Sequence, residues 1–85
     1  RAQTYFSATA AGAEPDLLLV AGPRRHGLEL KVTGAPRLTK SIEVALRDLK
    51  LKDVRVVYPG TRRYRIAPKV EAVPLADAIG WAAAL

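Results

Sequence analysis

Residues 16–32 of this 85-residue chain have the sequence DLLLVAGPRRHGLELKV, and this stretch decides the predicted fold. Asp16 to Ala21 form a short apolar run that is typical of a buried β-strand, and a Gly-Pro pair follows it. Gly27 to Val32 alternate between apolar and charged side chains, which predicts a second strand. Because Pro23 suits the second position of a turn, we expect the two strands to form a β-hairpin.

The sequence after the hairpin predicts a helix. Thr39 is a suitable N-cap, and apolar residues recur from Ile42 to Leu49 at the spacing of an amphipathic helix that extends to about residue 50. In the rest of the chain we expect strands at 4–6 and 53–58, shorter extended segments at 64–66 and 70–73, and a helix at 75–83. This order predicts an α/β fold, a mixed β-sheet with flanking helices.

Length and composition restrict the classes of protein to consider. Eighty-five residues allow one domain, and the absence of methionine suggests a piece of a longer chain. No cysteine is present, which excludes disulfides and thiol nucleophiles. No apolar run could span a membrane and no signal peptide is evident, so we expect no membrane partner and a cytoplasmic location.

Positive charge is concentrated in the middle of the chain. The net charge is +6, and residues 21–70 carry thirteen of the fourteen Lys and Arg residues against four acidic residues. A basic segment suggests a polyanionic partner such as DNA, although a solvated surface would have the same composition. The candidate nucleic-acid contacts are Arg24 and Arg25 at the hairpin tip and Arg62, Arg63 and Arg65 after the predicted strand at 53–58.

Three charged residues occupy positions in the hairpin where charge is costly. Glu29 and Lys31 alternate with apolar residues, so they share one face of their strand, and Leu28, Leu30 and Val32 are expected on the other. If Pro23 and Arg24 are the central turn residues, Asp16 lies opposite Lys31, with Glu29 roughly 7–8 Å away on the diagonal. A slip of one residue would move Asp16 to the other face.

Two carboxylates and an ammonium at one end of a hairpin have a chemical use. Asp16 and Glu29, together with the backbone carbonyl of Leu30, could hold Mg²⁺, which prefers oxygen ligands. Such an ion activates water and neutralises charge on a phosphate, and Lys31 could orient the attacking water. The alternative is an inert ion pair at the edge of the sheet.

Pro15-Asp16, followed at a distance by Glu29-Leu30-Lys31, resembles the PD-(D/E)XK signature of the restriction-endonuclease-like superfamily. The resemblance implies a restriction-endonuclease-like core, in which the aspartate lies on one strand and the E-X-K sequence on its neighbour. It also implies that Asp16, Glu29 and Lys31 are catalytic, with Asp16, Glu29 and Leu30 as ligands of the metal. The implied activity is Mg²⁺-dependent hydrolysis of phosphodiester bonds in DNA.

A longer pattern resembles the domain of unknown function at the C-terminus of certain bacterial and archaeal AAA-type ATPases. It comprises Phe6, residues 12–16, 29–31, 35–36 and 57–60, Tyr64 and residues 73–75. The resemblance implies that residues 1–85 are a single nuclease-like domain attached to an ATPase module, although the chain itself contains no phosphate-binding loop sequence. Two alternatives stay open, namely a non-catalytic accessory domain that binds nucleic acid or protein, and a protein-binding domain with an acidic partner.

Overall fold

The computed structural model of the protein describes residues 4–10, 15–21 and 24–84. Its elements, in chain order, are β1 (Thr4–Ala10), β2 (Pro15–Ala21), β3 (His26–Leu30), α1 (Lys40–Asp48), β4 (Asp53–Tyr58), β5 (Tyr64–Ala67), β6 (Val70–Pro74) and α2 (Leu75–Ala83). The predicted α/β class with two helices is confirmed.

The six described strands form one mixed sheet in the order β1-β2-β3-β4-β6-β5. Strands β1, β2 and β3 are successively antiparallel, β4 is parallel to both β3 and β6, and β5 is antiparallel to β6. A parallel pair needs a crossover connection, and α1 provides it between β3 and β4. The antiparallel and parallel parts of the sheet therefore meet at β3, the strand that carries Glu29, and again at β6.

Helix α1 begins and ends where its sequence provides local caps. The hydroxyl of Thr39 accepts a hydrogen bond from the Ile42 amide at 3.2 Å, as expected of an N-cap. At the other end Lys50 has a left-handed backbone with φ of 53°, and the Leu51 amide donates to the Leu46 carbonyl at 3.2 Å. This is the Schellman arrangement, and it ends the helix two residues before the predicted limit.

The main hydrophobic core lies between α1 and one face of the sheet. Ile42 and Ala45 of the helix pack against Val54, Val56 and Val70, and all five side chains are buried. The alternation of β4 directs Val54 and Val56 to this face. The helix that connects β3 to β4 is therefore held against the centre of the sheet.

A smaller core lies between α2 and the opposite face, where Ala78 packs with Val57 and Val73. The spacing of the sequence places Leu75, Ala78 and Ile79 on one face of the helix, but only Ala78 is buried, and Leu75 and Ile79 are 51% and 62% exposed. The half-buried Trp81 marks the side of α2 that faces the sheet, because its ring contacts His26 and Arg55. One residue turns a helix by about 100°, so Ile79 is directed away from the sheet.

Two strands differ in length from the prediction. Strand β1 continues to Ala10 through small residues of low β-propensity, since it pairs with β2 along its whole length. Strand β3 ends at Leu30, two residues before the expected limit, although the Lys31 amide still donates to the Val57 carbonyl at 2.8 Å. Val32 thus lies outside the sheet.

Candidate functional site

The register of the hairpin formed by β2 and β3 sets the positions of the acidic residues. Leu18 pairs with Glu29 and Val20 with Gly27, which is the register predicted with Pro23 and Arg24 in the turn. If the same pairing is continued by two residues, position 16 falls opposite position 31. The backbone of Asp16 lies in β2, whereas its side chain and residue Pro23 lie outside the described part of the chain.

Glu29 is the one charged side chain that is buried among the described residues, with 5% of its surface exposed. It alternates with Leu28 and Leu30, so it lies on the face of the sheet that α1 covers, as Val56 beside it does. Lys31, two residues further, is half-buried. A carboxylate at this depth requires charged or hydrogen-bonding partners to offset its desolvation.

Leu28 and Leu30 lie on the face of β3 opposite to Glu29, as the alternation predicts, but this face is only partly covered. Leu30 is 45% exposed and Val32 is 77% exposed, whereas Leu28 packs against the smaller core. The strand leaves the sheet after Leu30, and α2 packs over β4 and β6 rather than over the end of β3. The buried side of this strand end is consequently the one that carries the carboxylate.

The described side chains supply only part of a set of metal ligands. Within residues whose side chains are described, no three His, Asp or Glu residues are grouped closely enough to hold a metal ion. Of the predicted ligands, the Glu29 carboxylate and the Leu30 backbone are described. Oxygen donors of this type suit Mg²⁺, and a second carboxylate at position 16 would complete the predicted set.

Tyr58 is a neighbour of the candidate site that sequence analysis did not assign to it. Leu30 pairs with Val57 in the parallel ladder, so the next positions, Lys31 and Tyr58, are adjacent in the same register. The Tyr58 hydroxyl donates a hydrogen bond to the Arg62 carbonyl, which fixes the chain after β4. Tyr58 could be found as a neighbour of Lys31 only from the parallel pairing of β3 with β4, and no local sequence pattern predicts this pairing.

The predicted nucleic-acid contacts occupy two regions. Arg24 and Arg25 are exposed in the hairpin turn, and Arg25 has a φ of 59° while its carbonyl accepts from the Lys52 amide at 3.0 Å. Arg62 lies near Tyr58, at the opposite end of the strands. Arg63 and Arg65 approach the hairpin end, because Arg65 pairs with Glu71 near the start of β6.

Arg63 is engaged by a carboxylate. Its Nε and Nη2 atoms donate to the two carboxylate oxygens of Glu71, both at 3.0 Å. These hydrogen bonds are the main reason that the pKa of Glu71 lies below its ordinary value, and the charges of Arg63, Arg55 and Arg65 lower it further. Arg65 instead donates from Nη1 to the Pro68 carbonyl at 3.0 Å, and it forms no direct ion pair with a carboxylate among the described residues.

A second polar cluster joins β3, β4 and α2. Asp53 Oδ1 accepts hydrogen bonds from His26 Nδ1 at 2.8 Å and from Arg55 Nη1 at 3.0 Å. The Arg55 guanidinium lies 3.8 Å from the centre of the Trp81 ring, and the His26 ring meets Trp81 edge-on at 5.2 Å. His26 begins β3, and its side chain is largely covered by these partners.

The architecture defines the class of protein: a small, basic α/β domain with a mixed sheet and a buried carboxylate near the end of its third strand. The chain belongs to the family described as a domain of unknown function, DUF4143, whose profile matches residues 1–78. Neither helix in the described part of the chain is long and apolar enough to cross a membrane.

Two curated relatives are themselves uncharacterized. The chain is 40% identical over 70 residues to uncharacterized protein Mb2031c of Mycobacterium bovis and, to the same extent, to uncharacterized protein Rv2008c of Mycobacterium tuberculosis. Each alignment covers 82% of this chain but 16% of the relative. The chain thus spans about a sixth of the length of these relatives. No solved structure matches it significantly.

Proposed function

We propose that this domain has a restriction-endonuclease-like core and carries an Mg²⁺-dependent site for the hydrolysis of phosphodiester bonds in DNA. The observation that carries the proposal is the pairing of Leu18 with Glu29. In this register, position 16 lies two residues along β2 from Leu18, which is the residue paired with the buried Glu29. The order β1-β2-β3-α1-β4, with the Asp16 strand beside the Glu29 strand, supports the resemblance to the superfamily core.

Each residue has a separate role in the proposed site. The carboxylates of Asp16 and Glu29 and the carbonyl of Leu30 hold Mg²⁺, which when bound lowers the pKa of water and offsets charge on the phosphate. Lys31 orients the attacking water or stabilises the charge that develops on the phosphate. Burial of Glu29 under α1 limits the access of bulk water, which strengthens these electrostatic interactions.

The arginine residues are proposed to position the DNA. Arg24 and Arg25 are exposed at the hairpin tip, where they can contact the phosphate backbone without a cost in buried charge. Arg62 lies near Tyr58 and so at the end of the sheet where Glu29 is found. We also propose that the domain belongs to a longer protein of the cytoplasm, in which an ATPase module would be a further partner.

A metal titration tests the ligand assignment. Calorimetry with Mg²⁺ and Mn²⁺ should show binding to the wild-type protein and at least a tenfold loss in Asp16→Ala and Glu29→Ala. Glu43→Ala is the matched control, because Glu43 is an exposed carboxylate on α1 and its removal should leave binding unchanged. Equal binding by all four proteins, or no binding by any of them, contradicts the assignment.

A cleavage assay tests the chemistry separately. Plasmid and single-stranded DNA incubated with Mn²⁺ should be cut by the wild-type protein, whereas Lys31→Ala should keep its metal affinity and lose cleavage. If DNA is bound with a steep salt dependence but never cut, the accessory-domain alternative is favoured instead. If no nucleic acid is bound at all, the basic face belongs to a protein-binding domain.

A further inference from the structure

A cleft of about 350 Å³ lies at the end of the sheet opposite to Glu29. It is bordered by the start of β4, the turn between β5 and β6, and the side chains that project from these strands. Its charged lining residues are Lys52, Asp53, Arg55, Arg63, Arg65, Lys69 and Glu71. Five cations thus face two carboxylates in a concave, largely polar site, which favours an anionic ligand.

The carboxylates of the cleft are already paired, and their partners are two of the five cations. Glu71 accepts both donors of Arg63, and Asp53 accepts from Arg55. Among the described residues, Lys52, Arg65 and Lys69 have no carboxylate within ion-pair distance. Three positive charges are therefore available to a ligand.

The backbone that carries these three cations is tied to the sheet. The Val54 amide donates to the Lys69 carbonyl at 2.8 Å, and the Lys52 amide donates to the carbonyl of Arg25 at 3.0 Å. Arg65 holds the turn through its hydrogen bond to Pro68. Because these hydrogen bonds fix the backbone before an anion binds, less conformational entropy of the protein is lost on binding than at a flexible loop.

The cations form a row rather than a single point. The hairpin tip precedes β3, Lys52 precedes β4 and Lys69 precedes β6, while Arg65 lies in β5. These four strands are neighbours in the sheet in the order β3, β4, β6 and β5. Three steps of about 4.8 Å between strands make this row about 14 Å long. A nucleic-acid strand carries one negative charge per about 3.4 Å of its axis, so the row can contact several phosphates.

We propose that Lys52, Arg65 and Lys69 form a phosphate-binding subsite for the nucleic-acid backbone, continuous with Arg24 and Arg25 at the hairpin tip. The subsite rests on the proposed function in that DNA is the ligand of the domain. Arg63 is a positioning residue, because its Nε and Nη2 atoms are hydrogen-bonded to Glu71 and its charge is paired with that carboxylate. Glu29 pairs with Val56, which lies three residues, or about 10 Å, along β4 from Asp53, so a phosphate bound here does not contact a cation held by Glu29.

Binding is measured by fluorescence anisotropy of a labelled oligonucleotide, without divalent metal and across a range of salt concentrations. The test variant is Lys52→Gln with Lys69→Gln. The matched control is Lys40→Gln with Arg47→Gln, which removes the same charge from the exposed side of α1. Loss of two phosphate contacts should lower affinity by about 25- to 60-fold at 0.1 M salt and reduce the salt slope by about 1.4–1.8.

Equal losses in the test and control variants would overturn the proposal, because they would show dependence on net charge alone. A wild-type protein that binds no oligonucleotide would overturn it as well. Inorganic phosphate should compete with the oligonucleotide for the wild-type protein at millimolar concentration and have less effect on the test variant. Because no metal is present, failure of the cleavage assay leaves this result unaffected, and the two proposals can be separated.

Discussion

Replacement of Trp81, the one tryptophan of the chain, by alanine should destabilise the domain by about 2–3 kcal/mol. The Arg55 guanidinium stacks on its ring at 3.8 Å, and an interaction of this kind contributes about 1 kcal/mol when partly desolvated. The edge-on contact with His26 adds about 0.5–1 kcal/mol, and lost burial of a half-buried ring supplies the rest. For a domain of this size the melting temperature should fall by about 8–20 °C.

Urea denaturation followed by far-UV circular dichroism measures this loss, since Trp81→Ala removes the fluorophore. Trp81→Phe is the conservative control, and it should retain part of the stacking. A double-mutant cycle with Arg55→Met isolates the contact between the two side chains, for which we expect a coupling of about 0.5–2 kcal/mol. A Trp81→Ala protein within about 0.5 kcal/mol of wild type would refute the reasoning.

Two further predictions concern single residues away from this cluster. Lys50→Gly should stabilise the protein by about 0.5–1 kcal/mol in thermal or urea denaturation, because glycine accepts the left-handed backbone at φ of 53°, whereas Lys50→Ala should give no gain. The free energy of unfolding of Glu71→Gln should fall less than that of the wild-type protein when the pH is lowered. The folded pKa of Glu71 lies below its unfolded value because of Arg63, so the stabilisation is present above the unfolded value, near 4.3, and is lost as the pH falls towards the folded pKa. Identical acid denaturation curves for Glu71→Gln and wild type would contradict this account.

Elements with a local signal could be predicted closely. Asp53–Tyr58 alternates and is bounded by Pro-Gly, and Leu75–Ala83 follows a proline, so both have the expected limits. Thr39 caps α1 as its hydroxyl and position suggested. The hairpin has the register expected if Pro23 and Arg24 are the central turn residues, whereas the sequence had also allowed a slip of one residue.

Features that depend on distant parts of the chain could not be predicted. His26 is covered by Trp81, which is 55 positions away, and the exposure of Leu30 depends on where α2 packs. The same holds for the adjacency of Lys31 and Tyr58, which requires the parallel pairing of β3 with β4. For the candidate site, the sequence predicted the residue types and the alternation that puts Glu29 opposite Leu28 and Leu30, but it did not decide between two registers of the hairpin.

Among the described elements, helix α2 leaves the ribosome after all the strands of the sheet, and this has a consequence for the order of folding. The side of the sheet formed by Val57 and Val73 is covered by Ala78 and is bordered by Trp81. Until residues 75–83 have emerged, that apolar surface is bare, although the opposite side under α1 can already be closed. The nascent chain therefore passes through a stage in which only the face of the sheet under α1 is covered. At this stage the exposed valine side chains of the other face can bind chaperones or cause self-association.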